Sequence, residues 1–245
     1  MHIDLNCDMG EGLSNDALLM PFISSANIAC GAHAGDESVM KKTVELALLN
    51  NISIGAHPGF ADKKNFGRTD MQLPLEEVYD LVAKQIHSLQ KIAGELGTKL
   101  HHVKPHGALY NMAAKNAALA NAIAKAVYDA DNELIFYGLS GSHLITEADK
   151  LGLKTASEVF ADRTYGDDGS LTPRTQPNAM IETVEASIQQ VLQMIQYKTV
   201  TSINHQQVSI KAETVCLHGD GEHAVDFAKQ ISFTLKQNGV EIKSI

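Results

Sequence analysis

The stretch Ile3-Asp4-Leu5-Asn6-Cys7-Asp8-Met9-Gly10-Glu11-Gly12 decides how this chain is read. Residues 3–5 read as a short strand and residues 6–12 as the loop that leaves it. A strand that runs straight into polar residues and glycines is how an α/β enzyme delivers side chains to a site. Asn6, Asp8 and Glu11 bring acid/base or ligand chemistry, and Gly10 and Gly12 admit backbone conformations that other residues avoid. Taken alone, the stretch is equally a surface turn that favours Asn, Asp and Gly. The rest of the chain separates the two, because strand, polar exit and helix recur along it.

A second strand at residues 25–29 ends at Cys30-Gly31-Ala32-His33, and Asp36 then opens a helix as its N-cap. The strand at 52–56 stops at His57-Pro58-Gly59, and a long loop carrying Arg68 leads to Pro74, which sits where helices begin. Val78, Leu81, Val82, Gln85, Leu89, Ile92 and Leu96 follow at helical period. Residues 100–104 form a fourth strand that Pro105 cannot continue, with Lys104, His106, Tyr110 and Asn111 in its exit loop. An alanine-rich helix covers 115–130. Further strands are expected at 134–137, 154–159 and 215–218, with helices ending near Gly152 and over 178–197 and 222–237. Residues 199–211 alternate β-branched and polar types as a small hairpin outside the repeat, and 240–242 form a closing strand.

Seven strand-then-helix units imply parallel strands joined by crossover helices, hence a barrel or a doubly wound sheet. Even spacing, and no Gly-x-Gly-x-x-Gly after the first strand, favour the barrel: a seven-stranded parallel β/α barrel of TIM-like type, as a single domain over 1–245. An eighth strand, if there is one, falls within 199–211 or at the C-terminus.

Composition excludes several classes. The chain has 245 residues, 44% hydrophobic and 20% charged, with a net charge of −9, so no basic excess exists to bind a phosphate backbone and nucleic acid is not an expected partner. No apolar run approaches a membrane span, and residues 1–4 lack the cationic and apolar regions of a signal peptide, so a cytoplasmic location is expected. Cys7, Cys30 and Cys216 are odd in number and lack CxxC spacing, which makes them packing thiols rather than a disulfide framework or thiolate zinc site.

Every strand exit carries something reactive: Asn6 and Asp8, His33 and Asp36, His57, Lys104 and His106, Ser140 and Ser142, Glu158 with Asp162 and Arg163, and His218 with Asp220. In a parallel barrel these exits converge on one face. Lys104, followed by Pro105-His106-Gly107, is placed to meet an anion or polarise a carbonyl. Arg68 and Arg163 are the natural carboxylate clamps, since a guanidinium binds carboxylate bidentately. Asp8, His33 and His57 could also form an Asp/His/His site for a divalent metal with a position left for water. No GxxxxGK[ST] is present, and Gly138-Leu139-Ser140-Gly141-Ser142 is only a weak phosphate cradle.

Six motifs, in order over nearly the whole chain, resemble the LamB/YcsF family: residues 4–12, residues 27–36, Gly55-Ala56-His57-Pro58-Gly59 with Phe66-Gly67-Arg68, residues 103–110, residues 158–163 with Tyr165, and residues 216–220. The resemblance implies a seven-stranded β/α barrel related to glycoside hydrolases and polysaccharide deacetylases. It also implies the role of the A subunit in an ATP-dependent 5-oxoprolinase, opening 5-oxo-L-proline to L-glutamate with partner subunits B and C. A lactam is an unactivated amide, so ATP would be consumed by the complex to activate its carbonyl. On this basis the expected catalytic set is Asp8, His57, Lys104, His106 and Glu158: Asp8 or His57 activates water, and Lys104 and His106 stabilise oxyanion or phosphate charge. Asn6, Arg68, Arg163 and His218 would bind substrate, Arg163 through its carboxylate. The alternatives are a metal-dependent amidohydrolase or deacetylase and a non-catalytic binding subunit.

Overall fold

The computed structural model describes residues 1–217 and 224–245. Its elements run β1 (His2–Met9), α1 (Asp16–Leu19), β2 (Ser25–Ala29), α2 (Glu37–Leu49), β3 (Ser53–His57), α3 (Leu75–Glu95), β4 (His102–Val103), α4 (Gly107–Lys115), α5 (Ala117–Ala130), β5 (Ile135–Leu139), α6 (His143–Lys150), β6 (Lys154–Phe160), α7 (Val184–Tyr197), β7 (Thr199–Thr201), β8 (Gln207–Ser209), β9 (Thr214–Leu217), α8 (Ala224–Gln237) and β10 (Glu241–Ile242). Strands β1 to β6 and β9 pair in parallel, and β9 pairs with β1 to close a seven-stranded ring. β10 adds in parallel to the first residues of β1, and β7 and β8 form a separate antiparallel hairpin. Neither supplies an eighth barrel strand.

Alternation along β1 shows how sequence becomes architecture. Ile3, Leu5, Cys7 and Met9 join the hydrophobic core under the helices, whereas Asp4, Asn6 and Asp8 bond to residues of other strands across the interior. The helices supply the matching faces; on α3 that face is Val78, Val82, Ile86, Leu89 and Ile92, all buried. Inside the ring, Ile135, Tyr137 and Ala156 form a small apolar cluster of their own. Barrels of this kind are usually filled with branched apolar side chains. Here much of the filling is polar: Asp4, Asn6, Ser25, Asn27, His102, Lys104, Glu158 and Thr214 are all buried.

Several element limits differ from the sequence expectation. β1 runs through Met9, so Asn6 and Asp8 are strand residues and not loop residues; a rigid ladder holds them. The exit of β4 turns at once into α4, which contains Tyr110 and Asn111, because Gly107 takes φ +57° and lets a helix begin there. Asn116 then separates α4 from α5 and caps the latter, its Oδ1 accepting from Leu119 N at 3.1 Å. Asp36 caps α2 as expected, accepting from Val39 N at 3.0 Å. The expected start of the last helix, together with His218 and Asp220, lies outside the described residues. Among the described residues no helix is long and apolar enough to cross a membrane.

Candidate active site and metal centre

The floor of the site is a charged knot tied by four strands. Lys104, just after β4, places Nζ 2.9 Å from Asp8 Oδ1 on β1 and 2.9 Å from Glu158 Oε1 on β6. The same ammonium lies 3.2 Å from Asn6 Oδ1 and 3.1 Å from Cys216 Sγ on β9. Burial alone would push the lysine toward neutrality, but Asp8, Cys216 and Glu158 more than offset it and hold its pKa well above the ordinary value. Glu158 accepts two further hydrogen bonds, from Asn6 Nδ2 at the same Oε1 at 3.0 Å and from the Tyr110 hydroxyl at Oε2 at 2.7 Å. Two carboxyl side chains thus share one buried ammonium.

Above it sit three imidazoles from three different strand exits. His57 Nδ1 lies 2.8 Å from the Lys104 carbonyl, and His106 Nε2 lies 2.8 Å from the Phe66 carbonyl. A carbonyl can only accept, so these nitrogens carry the protons and the opposite ones, His57 Nε2 and His106 Nδ1, turn inward. They are 2.9 Å apart. Glu11 Oε1 is 3.4 Å from His106 Nδ1 and 3.3 Å from His33 Nε2, while Asp8 Oδ2 is 3.3 Å from His57 Nε2. Burial, reinforced by neighbouring His57, lowers His33 to about 3 and His106 to about 2, so both are neutral near pH 7.

The inward-facing nitrogens of His57 and His106 are therefore acceptors set against the carboxylates of Asp8 and Glu11, an arrangement that a metal ion would reconcile. One ligand atom each from Glu11, His33, His57 and His106 lies within 4.8 Å of the others. This mixed imidazole and carboxylate donor set suits a divalent transition ion such as Zn²⁺. His33 turns Nε2 toward Glu11, and its Nδ1, buried on the Gly59 side of the ring, has no hydrogen-bond partner among the described residues. Its ring stacks on that of His106, with centroids 3.8 Å apart.

A cavity of about 760 Å³ opens over this floor, and its walls include Asp8, Glu11, His57, Lys104, His106, Arg68, Arg163 and Arg174. Of the residues singled out from sequence, Asp8, His57, Lys104, His106, Arg68 and Arg163 therefore reach one cavity. His33 packs behind His106, and Asn6 and Glu158 lie beneath as partners of Lys104. Of the Asp8, His33 and His57 metal set, the two histidines fall within the cluster and Asp8 stands against it, one oxygen on Lys104 and the other on His57. Arg163 sits in the 161–183 segment with Nη2 2.6 Å from the Thr172 carbonyl and Nε 3.3 Å from that of Ala179, so part of its guanidinium braces that segment. Burial lowers its pKa to about 10, and it stays charged near neutrality. Sequence reading missed Asn27 and His102; a polar residue between Ala26 and Ile28 at an inward position of a buried strand was the signal for the first.

A parallel β/α barrel with carboxylates, a buried ammonium and clustered imidazoles at the C-terminal mouth defines a class of barrel protein with an acid/base pocket. The chain belongs to the LamB/YcsF family, whose model matches residues 3–245. It is 54% identical to the 5-oxoprolinase A subunit of Tolumonas auensis, covering 99% of both chains. Its fold matches that of the lactam utilization protein from Thermus thermophilus with a TM-score of 0.95 and 38% identity, covering all of both chains. A family 4 carbohydrate esterase from Streptomyces lividans shares the fold at a TM-score of 0.51 and 14% identity, over 100% of this chain and 92% of that one.

Proposed function

We propose that this chain is the ring-opening subunit of a 5-oxoprolinase, acting on 5-oxo-L-proline to give L-glutamate with partner subunits B and C. The supporting observation is the buried Asp8, Lys104 and Glu158 knot on the floor of a cavity that also carries arginines. Ring opening adds the oxygen of water to the lactam carbonyl carbon and breaks the carbon–nitrogen bond, the ring nitrogen leaving with a proton. Asp8 is the group to take the proton from water: Oδ1 is held by Lys104 while Oδ2 faces His57 at the cavity. The N–H donors of Lys104 are already engaged in this state. Its part is therefore to hold the Asp8 and Glu158 side chains in place and to set positive charge beneath a developing oxyanion. Arg68, Arg163 and Arg174 are the cavity-wall cations that can meet the substrate carboxylate.

Glu11, His33, His57 and His106 would hold a divalent ion, which would supply Lewis acidity at the mouth of the barrel. The sequence has no legible nucleotide motif, which supports assigning ATP-driven activation of the lactam to the partners. The reading is tested by reconstitution: the purified chain is mixed with subunits B and C, and glutamate and ADP are followed together, before and after chelator treatment. Coupled release in the mixture, and none from the isolated chain, is expected. ATP-coupled turnover by the chain alone would refute the division of labour. ATP-independent lactam hydrolysis requiring a divalent metal would instead establish a metal-dependent amidohydrolase, the reading that the acceptor cluster favours as second.

A further inference from the structure

Below the cavity, one row of the barrel ties the acid/base floor to a histidine that does not line the cavity. Strand register sets Asp8 beside Asn27, Asn27 beside Gly55, and Gly55 beside His102. Across an intervening strand, a histidine and an asparagine normally have a side chain between them. Here the intervening residue is glycine. A Cβ on Gly55 would stand 2.3 Å from the His102 ring, so the ring occupies the space that any other residue would fill. It thereby reaches over β3 and sets Nε2 2.8 Å from Asn27 Oδ1. From the other side the Tyr137 ring stacks on it, with centroids 4.2 Å apart and planes inclined by 16°.

The direction of each hydrogen bond follows. Burial holds His102 neutral, and an amide oxygen only accepts, so the His102 proton is on Nε2, Nδ1 is left as the acceptor facing His101 Nδ1 at 3.3 Å, and the bond keeps the oxygen of the Asn27 amide turned to His102. Its Nδ2 must then point up, donating to Asp8 Oδ1 at 2.8 Å and Asn6 Oδ1 at 2.7 Å. The Asn6 amide is oriented in turn, with Nδ2 donating to Glu158 Oε1 and, at 2.7 Å, to Thr214 Oγ1. The Thr214 hydroxyl donates in turn to Asp4 Oδ2 at 2.6 Å. If the Asn27 amide were reversed, an oxygen would face both Asp8 Oδ1 and Asn6 Oδ1 with no proton between them, and Asp8 could no longer hold Oδ1 down on Lys104 and Oδ2 toward His57.

We infer that His102 and Asn27 are positioning residues for Asp8 and Lys104, with Gly55 as the gap that makes their contact possible. The inference rests on the reading that places Asp8 in the ring-opening step, so its test has one arm that needs no activity. With histidine nitrogens labelled, NMR of the isolated chain should show His102 as the Nε2–H tautomer. The Asn27 side-chain amide protons should exchange slowly, and the His102→Leu variant should lose that protection. In the reconstituted 5-oxoprolinase, His102→Leu and Asn27→Leu should lower kcat by about 10- to 100-fold, the range known for partners that orient metal-ligating side chains, with KM nearly unchanged. His102→Gln, whose amide nitrogen can occupy the place of Nε2, should restore most of kcat, and Gly55→Ala should resemble His102→Leu.

An Nδ1–H tautomer, or Asn27 protons that exchange equally fast in wild type and His102→Leu, would overturn the inference even if the variants folded poorly. So would equal kcat losses for Leu and Gln at 102 in folded proteins, which would mark a packing role. A wild-type complex with no turnover of 5-oxoproline would refute the functional reading, and the NMR arm would still decide the orientation of Asn27.

Discussion

Asp8 uses its two oxygens for different purposes, and substitutions separate them. Asp8→Asn keeps the shape and removes the charge, so turnover of the reconstituted enzyme should fall by at least ~10²-fold, the lower range for a positioned acid or base. The fold should survive, because Lys104 retains Glu158 at 2.9 Å as a counterion. Unchanged turnover in folded protein would return Asp8 to a structural role. Lys104→Met is the opposite case. It leaves Asp8 and Glu158 buried together without their cation, which should cost roughly 3–5 kcal/mol of stability by urea denaturation, as for other broken buried pairs. A loss of less than about 1 kcal/mol, the range of exposed ion pairs, would show the knot to be solvated.

No single element makes the histidine cluster; it forms where three strand exits meet. His33 follows β2, His57 ends β3 and His106 follows β4, with Glu11 contributed after β1. What brings His106 into reach is the turn at Gly107. A Cβ there would stand 2.6 Å from the Gly67 carbonyl, which accepts from Ala108 N at 3.0 Å, so the loop from β3 is sewn to the start of α4. Calorimetric titration of chelator-treated protein with Zn²⁺ should give one strong site. His57→Ala and His106→Ala should each weaken it severely, and Asp8→Asn should do so less, since Asp8 stands beside the cluster, against His57. Equal binding by wild type and the two histidine variants would exclude this cluster as the metal centre.

For the molecule as a whole, a polar barrel interior makes stability depend on pH. Burial is the main cause that lowers His33 to about 3 and His106 to about 2, and it places His102 well below 6.5. An unfolded chain takes up protons on these residues below about 6.5 while the fold refuses them. Their contribution is therefore complete above pH 6.5 and is lost progressively as pH falls toward 3, at up to about 1.4 kcal/mol per histidine per pH unit. Asp4 works the other way, since burial raises its pKa and the fold accepts its proton more readily. In metal-free protein the Tm should decline clearly between pH 7 and 5, and a divalent ion at pH 7 should raise it. A flat Tm across that range would mean that the three histidines are not held neutral.

By itself the sequence determined the repeat, the ring and the face. Apolar alternation in the strands and the helical period of segments such as 75–95 are local consequences of burial, and parallel repeats oblige every strand exit to point the same way, so Asp8, His57, Lys104 and His106 could be assigned to one mouth from their positions alone. Cap chemistry was legible for the same reason at Asp36, where side chain and recipient amide lie three residues apart. Only the tertiary structure decided which partners meet. That β1 continues through Asp8, that Lys104 lies between carboxylates of β1 and β6, and that His102 crosses Gly55 to orient Asn27 all depend on register between strands far apart in the chain. A shift of one residue in that register would exchange the inward and outward faces of a strand, and nothing local in the sequence records the choice. Burial settles it, because buried charged and amide groups need partners, and in this register Asp4, Asn6, Asp8, Asn27, Lys104 and Glu158 find them.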